Sequence, residues 1–419
     1  MLSFKQFTIK LNEFSFRSGT SDQNKHLTHI EDLVIEGGVN GTREAITTLL
    51  SMRYALAGTG TQRNKMTTKF DGAPAVFCGI DPSNGKFFVA TKGLFNKDPK
   101  INYTDADISK NHSGDLAEKL KVALNYFPLL GITGVIQGDI MFTAKDLKEE
   151  EIDGEKYLTF HPNTIIYAIK ADSDAANEIR HAKIGVVFHT LYSGNNLKSM
   201  KAEFGVDSSK LNKNSNVWVG SSGIKDLSGV ATMTAQETET VDQMLRKCGY
   251  LFRDIGSPIL QKIHTDNEIY SFIATYNNQT VRQGIKITDP KGHVNGLISY
   301  VNNKLNDEIE NKKALKTKET WKLKKLRLMM FFSPKNKRGL EKMFELQSLL
   351  ASIKEIFINK LNTLNSLSTF IKTKDGYKVT SGEGFVVIDH LGNGAVKLVD
   401  RLEFSRNNFS DDVIKGWQR

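Results

Sequence analysis

Three residues spread along the chain could together do chemistry on phosphorus: Lys69, Glu383 and Lys397. A lysine amine attacks an electrophile only when unprotonated, and its ordinary pKa is about 10.4. Burial and neighbouring cations lower that value. Lys397, placed beside a phosphate, would both depress Lys69 and hold the phosphate's charge. Glu383 opens the run Glu383-Gly384-Phe385-Val386-Val387-Ile388. A hard carboxylate oxygen there suits Mg²⁺ or Mn²⁺, and a divalent ion would assist amine and phosphate more strongly than a second lysine. Strand alternation predicts that Glu383 shares a face with Phe385 and Val387.

The elements that must position these residues follow from apolar spacing. Residues 75–80 and 86–90 are strand-like runs around Asp81-Pro82-Ser83-Asn84-Gly85, which predicts a hairpin. Residues 134–142, 164–169 and 183–191 are β-rich and apolar and predict central strands of a buried sheet. A helix is predicted over 42–57, with Ile46, Leu49, Leu50 and Ala55 on one face. Asn40-Gly41 or Thr42 would start it and Gly58 would end it. Another helix spans 116–126. From about 233 to 370 the pattern is helical, with segments at 235–251, 259–276, 294–312 and 340–361. In the last, Met343, Phe344, Leu346, Leu350, Ile353, Phe357 and Leu361 form a broad apolar stripe that belongs in a bundle core. Strands resume after Lys374-Asp375-Gly376 and run to Val399, and a short polar tail follows Phe404. His29 reads as a structural histidine.

The 419 residues allow two or three domains. With 39% hydrophobic and 25% charged residues the chain can bury a large core. A net charge of +10 favours phosphate-rich partners, chiefly nucleic acid. Cys78 and Cys248 give neither a disulfide framework nor metal-site spacing, and Cys78 sits in an apolar run as a small buried residue. No apolar run approaches a membrane span. Basic charge concentrates at Lys312, Lys313, Lys316, Lys318, Lys322, Lys324, Lys325, Arg327, Lys335, Lys337 and Arg338, with Glu319 the lone acid. Trp321, Phe331 and Phe332 interleave. This predicts a surface for single-stranded nucleic acid, RNA before DNA, with Lys322, Lys324, Lys325 and Arg327 as contacts.

Taken in order, Lys69-Phe70-Asp71-Gly72, Thr91-Lys92-Gly93, Gln137-Gly138-Asp139-Ile140, Val187-Phe188-His189, Glu383 to Ile388 and Val396-Lys397-Leu398-Val399 resemble the covalent nucleotidyltransferase superfamily. That superfamily contains DNA ligases, RNA ligases and mRNA-capping enzymes. The resemblance covers residues 66–192 and 380–400. It implies that Lys69 forms a lysyl-nucleotide with ATP, or GTP in its place, and that Lys397 contacts phosphate. Glu383 would bind metal. Asp139 would accept from a ribose hydroxyl or neighbour the metal, and Phe188 would stack on the base. Thr67 would lie where the backbone meets the base edge, Lys92 would reach phosphate, and Asp71 and Gly72 would border the nucleotide, the glycine admitting the sugar closely. The run from Lys69 to Pro82 and the later Phe160-His161-Pro162-Asn163-Thr164 also resemble an uncharacterised family of large tailed bacteriophages. Phe4, Phe7 and Leu11-Asn12-Glu13 resemble the capsid-targeting leaders of proteins packaged in phage heads, cut after the glutamate. The implied location is the host cytoplasm, or the virion interior after packaging.

The chain departs from the superfamily in four ways. Ala73-Pro74-Ala75 stand where ligases commonly carry Arg, Ser or Thr, and Asp139 replaces a common Glu. The gap from Phe188 to Glu383 is far longer than usual, and only 22 residues follow Lys397, too few for an OB domain. The expected architecture is α+β: a ligase adenylation-like nucleotidyltransferase domain of mainly antiparallel sheets (26–225 and 371–405), a large α-helical insertion (226–370), a leader and linker (1–25) and a tail (406–419). The expected function is polynucleotide sealing, RNA ligation foremost. The alternatives are transfer of AMP or GMP to a protein or small molecule, and a non-enzymatic virion protein that binds nucleic acid through a degenerate ligase-like fold.

Overall fold

Each predicted periodicity has to find a partner surface, and the computed structural model shows where for residues 27–58, 65–220, 232–363, 367–388 and 395–418. The leader-like residues 1–13 lie outside these. The chain enters through β1 (Thr28–His29), α1 (Leu33–Glu36) and α2 (Gly38–Leu56). β2 (Lys65–Thr68), β3 (Ala75–Ile80), β4 (Phe87–Ala90) and β5 (Ile101–Asn102) precede α3 (Asp105–Asn111) and α4 (Gly114–Tyr126). Next come β6 (Val135–Thr143), β7 (Lys148–Ile152), β8 (Glu155–Phe160), β9 (Ile166–Lys170), α5 (Asp174–His181), β10 (Ile184–Ser193), β11 (Lys201–Phe204) and β12 (Val217–Val219). Six helices follow: α6 (Ala235–Ile255), α7 (Ser257–Thr265), α8 (Asn267–Arg282), α9 (Pro290–Asn311), α10 (Leu315–Phe331) and α11 (Pro334–Asn362). The chain closes with β13 (Ser368–Thr373), β14 (Gly376–Val379), β15 (Phe385–Ile388), β16 (Ala395–Leu398), α12 (Arg401–Phe409) and β17 (Val413–Ile414).

This is a mixed α and β protein with mostly antiparallel sheets. One sheet has the order β1-β16-β15-β2; a second runs β11-β10-β6-β3-β4-β5 with β12 on β10; a third runs β14-β13-β9-β8-β7 with β17 on β13. Among the described residues only β1–β16 and β10–β12 pair in parallel. The expected hairpin is present: β3 and β4 pair from Phe77–Ala90 to Ile80–Phe87, and Gly85 takes a positive φ of 70° in the turn. β6 and β10 are central strands, but β9, expected beside them, belongs to the third sheet.

Local chemistry accounts for where the helices differ from expectation. α2 starts at Gly38, ahead of Thr42, because Gly41 packs against α1 where a Cβ would lie 2.3 Å from the Leu33 carbonyl. The single helix expected over 259–276 is two, since the Asp266 side chain accepts from the N–H groups of Glu268 and Ile269 and starts a new helix. The stretch after Phe404 is not only a tail. Asp400 caps α12 through the N–H groups of Leu402 and Glu403, and β17 adds to β13.

The largest core joins the helices to the first sheet. Met343, Phe344, Leu350, Ile353, Phe357 and Leu361 of α11 pack with Ile46, Leu49 and Leu50 of α2 and with Phe385, Val387, Val396 and Leu398 of β15 and β16. The helical stretch is thereby built onto the back of the sheet that carries Glu383 and Lys397. A buried ion pair sits in this seam: Lys354 Nζ of α11 lies 2.6 Å from Glu31 Oε1, with 2% and 5% of the side chains exposed. Buried charges are tolerated only when paired, and removal of one partner costs about 3–5 kcal/mol. Lys354→Met is therefore expected to lower the midpoint of urea unfolding by an amount corresponding to about 3–5 kcal/mol. Glu31→Leu combined with Lys354→Met is expected to recover most of that loss, as followed by far-UV circular dichroism.

Candidate active site

The ladder between β2 and β15 pairs Thr67 with Val386 and Thr68 with Phe385, and one further bond, Lys69 N–H to the Gly384 carbonyl (2.8 Å), carries it past the strand end. That bond brings two segments 314 residues apart together, and Lys69 Nζ donates to Glu383 Oε2. The Lys69 side chain keeps 29% of its surface open, whereas Glu383 keeps 5%. The amine is thus reachable from outside and its carboxylate partner is not. Glu383 does not share the face of Phe385 and Val387, which lie in the helical core. It precedes the strand, and Gly384 at φ 113° breaks the alternation.

Lys397 lies across from Val386 in the β15–β16 register and beside His29 in the β1–β16 register. Paired residues point to one side, so Thr67, Lys397 and His29 share the face away from the helical core. Thr67 is half-buried there. Burial lowers the Lys69 pKa and Lys397 adds to the effect, while the carboxylates of Asp71 and Asp139 oppose it. Burial also lowers Lys397, against the pull of Asp32. His29 falls well below its usual value through burial and the charges of Lys397, Lys354, Arg401 and Lys69, which leaves it neutral. Its Nδ1 is buried without a hydrogen-bond partner among the described residues. Sequence reading took His29 as structural and missed its place beside Lys397, for which two paired residues at a strand edge give little signal.

The second sheet supplies the opposite side. Asp139 of β6 pairs with Ala75 and Val187. Its Oδ2 lies 3.6 Å from His189 Nε2, and His189 Nδ1 is hydrogen-bonded to Thr190 Oγ1 at 2.8 Å. The β6–β10 register shifts between Phe188 and Thr190, so His189 is the extra residue of a bulge. Bulges re-aim side chains, and this one turns His189 toward Asp139. Phe188 goes the other way: it is 1% exposed and meets Phe127 edge-on at 5.7 Å in the core beneath α4. The base-stacking role expected of Phe188 is corrected accordingly.

Asp71 and Gly72 also differ from expectation. The Asp71 carboxylate is buried and accepts from Asn163 Nδ2 (2.5 Å) and from the N–H groups of Thr164 (2.9 Å) and Ile165 (3.3 Å). Its own N–H donates to the Tyr167 hydroxyl (2.6 Å). Asp71 anchors the loop before β9 and has little capacity left for a ligand. Gly72 is required by β6, since a Cβ there would lie 2.5 Å from the Asp139 Cβ and 2.9 Å from Met141 Sδ. Lys92 is exposed in a 3₁₀ turn after β4, at the same end of the sheet as Ala75, with no described contact to Lys69. The last residues close over the Asp71 loop: Gly416 N–H donates to the Asn163 carbonyl (2.7 Å) and Lys415 Nζ to the Asn407 carbonyl. Burial draws Lys415 down while Asp71 opposes.

Among the described residues no three His, Cys, Asp or Glu side chains converge as a ready-made metal cage. Glu383 contacts the Lys69 amine and Asp139 acts on it through its charge; both are hard oxygen donors of the type that holds Mg²⁺ together with substrate phosphates. Three of the basic residues of α10 are committed elsewhere. Arg327 pairs with Asp266 (2.7 Å) and Glu268, Lys324 pairs with Glu268, and Lys325 donates to Asn306 (2.5 Å). Trp321 packs against the helical core under the ammoniums of Lys312 and Lys324, and Phe331 and Phe332 are buried. Only Lys322 of the four named contacts is exposed without such a tie, and no aromatic ring of α10 is offered for stacking. No described helix is long and apolar enough to cross a membrane.

Asp71→Ala would leave Asn163 and two backbone N–H groups unpaired, each costing about 1–3 kcal/mol. A loss of roughly 3 kcal/mol is expected in denaturant unfolding, with protease cleavage appearing in the loop of residues 161–165.

A family model matches residues 24–412, and the chain belongs to that family, described as a family of unknown function (DUF6267). No curated protein and no solved structure matches the chain.

Proposed function

We propose that this chain, as a member of that family, is a covalent nucleotidyltransferase of the ligase adenylation type whose nucleophile is Lys69. The Lys69 nitrogen attacks the α-phosphorus of ATP or GTP, a P–N bond forms, the bond to the β-phosphate oxygen breaks, and pyrophosphate leaves. Glu383, in contact with the amine, takes the proton that the nitrogen loses. Lys397 faces the phosphates from the neighbouring strand. A divalent ion bound through Glu383 and Asp139 would neutralise charge on the triphosphate. In the second half-reaction the nucleotide passes to a 5′-phosphate end, most simply of RNA, and a 3′-hydroxyl displaces the nucleoside monophosphate.

One observation carries this reading: a lysine whose side chain keeps 29% of its surface open, with its amine lowered by burial and by a second lysine, sits against a buried glutamate contributed from the far end of the chain. A lysine serving only as a solvated strand end would need neither the buried carboxylate nor the converging sheets. Asp139 with its bulge-directed His189 adds a polar wall that a purely structural seam would not require.

Incubation with α-labelled ATP or GTP and Mg²⁺ or Mn²⁺ is expected to give an acid-labile covalent label. Lys69→Ala should abolish it, and Glu383→Gln should slow it by about 10²–10⁴-fold, the usual range for loss of acid–base assistance. Absence of label with both nucleotides and both metals refutes the proposal, and robust labelling removes the binding-only alternative.

The pH profile provides a second test. Labelling requires the neutral amine, so its rate should rise with pH through a midpoint below the ordinary lysine value of 10.5. Lys397→Met removes a charge that lowers Lys69 and should move the midpoint up. Asp139→Asn removes one that raises Lys69 and should move it down. Equal midpoints in all three proteins would mean that a different group controls the reaction.

A further inference from the structure

A cavity of about 310 Å³ opens beside Lys397. It is lined by His29 and Lys397 of β1 and β16, by Tyr270, Asn278 and Arg282 of α8, and by Phe404 of α12. Among the described residues neither Lys397 nor Arg282 has a hydrogen-bond or ion-pair partner, although the Arg282 guanidinium lies over the Phe409 ring at 5.1 Å. Arg401 completes a group of three cations and is held in place by Asp32 (2.6 Å) and Asn278 (2.6 Å). Two carboxylates also line the space. Asp32 is occupied by Arg401 and by the Gln347 amide (2.9 Å), and Glu36 accepts the Thr28 hydroxyl (2.8 Å). Three cations thus face two carboxylates, and among the described residues Lys397 and Arg282 are the two cations without an ion pair of their own.

Each component has a match in one ligand class. A lysine and an arginine without partners suit a phosphate dianion, which takes a point charge and a guanidinium fork together. The flat faces of Tyr270 and Phe404 suit a base, and the Asn278 amide can meet its edge. The volume falls in the range of small-ligand sites, about 300–1,000 Å³. We infer that this cavity binds a phosphorylated nucleotide, with the phosphate on Lys397 and Arg282 and the base between Tyr270 and Phe404. The helical segment then supplies one wall of a ligand site adjoining Lys69. The inference deepens the nucleotidyltransferase reading, since the bound nucleotide is either the phosphorylated acceptor end or the triphosphate donor. The binding itself needs no reaction at Lys69.

Isothermal titration on the full-length Lys69→Ala protein, which cannot be labelled, separates the two questions. Adenosine 5′-monophosphate and a 5′-phosphorylated dinucleotide should bind, and adenosine should bind at least tenfold more weakly. Adding Arg282→Gln or Tyr270→Leu should each weaken the phosphorylated ligands at least tenfold with the circular dichroism spectrum unchanged, and Arg282→Lys should recover part of the loss. Simultaneous binding of ATP and the dinucleotide assigns the cavity to the acceptor, whereas displacement by ATP assigns it to the donor. Equal affinity for adenosine and its monophosphate, or wild-type affinity in Arg282→Gln, overturns the inference. Binding by Lys69→Ala together with a wild-type protein that never takes label would end the covalent reading and leave the cavity standing; label in the wild type without binding by Lys69→Ala would do the reverse.

Discussion

The contact between Lys69 and Glu383 is the constraint around which the chain is arranged. A carboxylate as buried as Glu383 must have a cation beside it, and Lys69 lies 314 residues earlier. Bringing them together obliges β2, β15, β16 and β1 to form one sheet from segments at both ends of the sequence. Everything between has to leave and return within that geometry. The second sheet does so by pairing β3, which follows the Lys69–Gly72 segment, with β6, where Gly72 admits Asp139 at a distance no side chain would tolerate. The helices do so by covering the other face, where Phe385, Val387, Val396 and Leu398 join their core.

The electrostatics follow from that placement. Lys69 feels the carboxylates of Glu383, Asp71 and Asp139, while burial first, and then the charges of Lys397, Lys354 and Arg401, lower His29 well below its usual value. Acidic groups favour the ammonium form of Lys69, and burial with Lys397 favours the amine. An amine balanced in this way is held in place at rest and freed when its surroundings change. Arrival of a phosphate at Lys397 would alter the balance, and so would engagement of Glu383 or Asp139 by a cation.

Much of this was legible in the sequence where the signal is local. The β3–β4 hairpin followed from its turn residues, and α11 from its apolar stripe, because each is set by contacts a few residues apart. Lys69, Glu383 and Lys397 stood out through motifs that resemble a known superfamily, and the structure sets Lys69 against Glu383 with Lys397 two strands from Thr67. What pattern reading could not reach depended on one backbone detail or on distant partners. Gly384 at positive φ turned Glu383 off the face that alternation assigned to it. One extra residue in β10 turned His189 toward Asp139 while Phe188, expected to stack on the base, went into the core. Asp71 was read as bordering a ligand, yet its partners Asn163, Thr164 and Ile165 sit in a loop nearly a hundred positions on. The basic residues of α10 were visible, but their neutralising partners Asp266 and Glu268 belong to α8.

The placement of α8 ties these strands of reasoning together. Its cap Asp266 and first-turn Glu268 pair with Lys324 and Arg327 of α10. Its later turns present Tyr270, Asn278 and Arg282 to the cavity beside Lys397. Part of the charge that composition would place on an outer surface is paired there, while Lys397 and Arg282 line the cavity without ion pairs of their own among the described residues. For a protein carrying ten excess positive charges, the proposed nucleotide site then lies in the seam where helices and sheet meet. That seam is closed by the buried Lys354–Glu31 pair and by the Gln347–Asp32–Arg401 chain. Any ligand entering it would touch the helical segment and the site-bearing sheet at once.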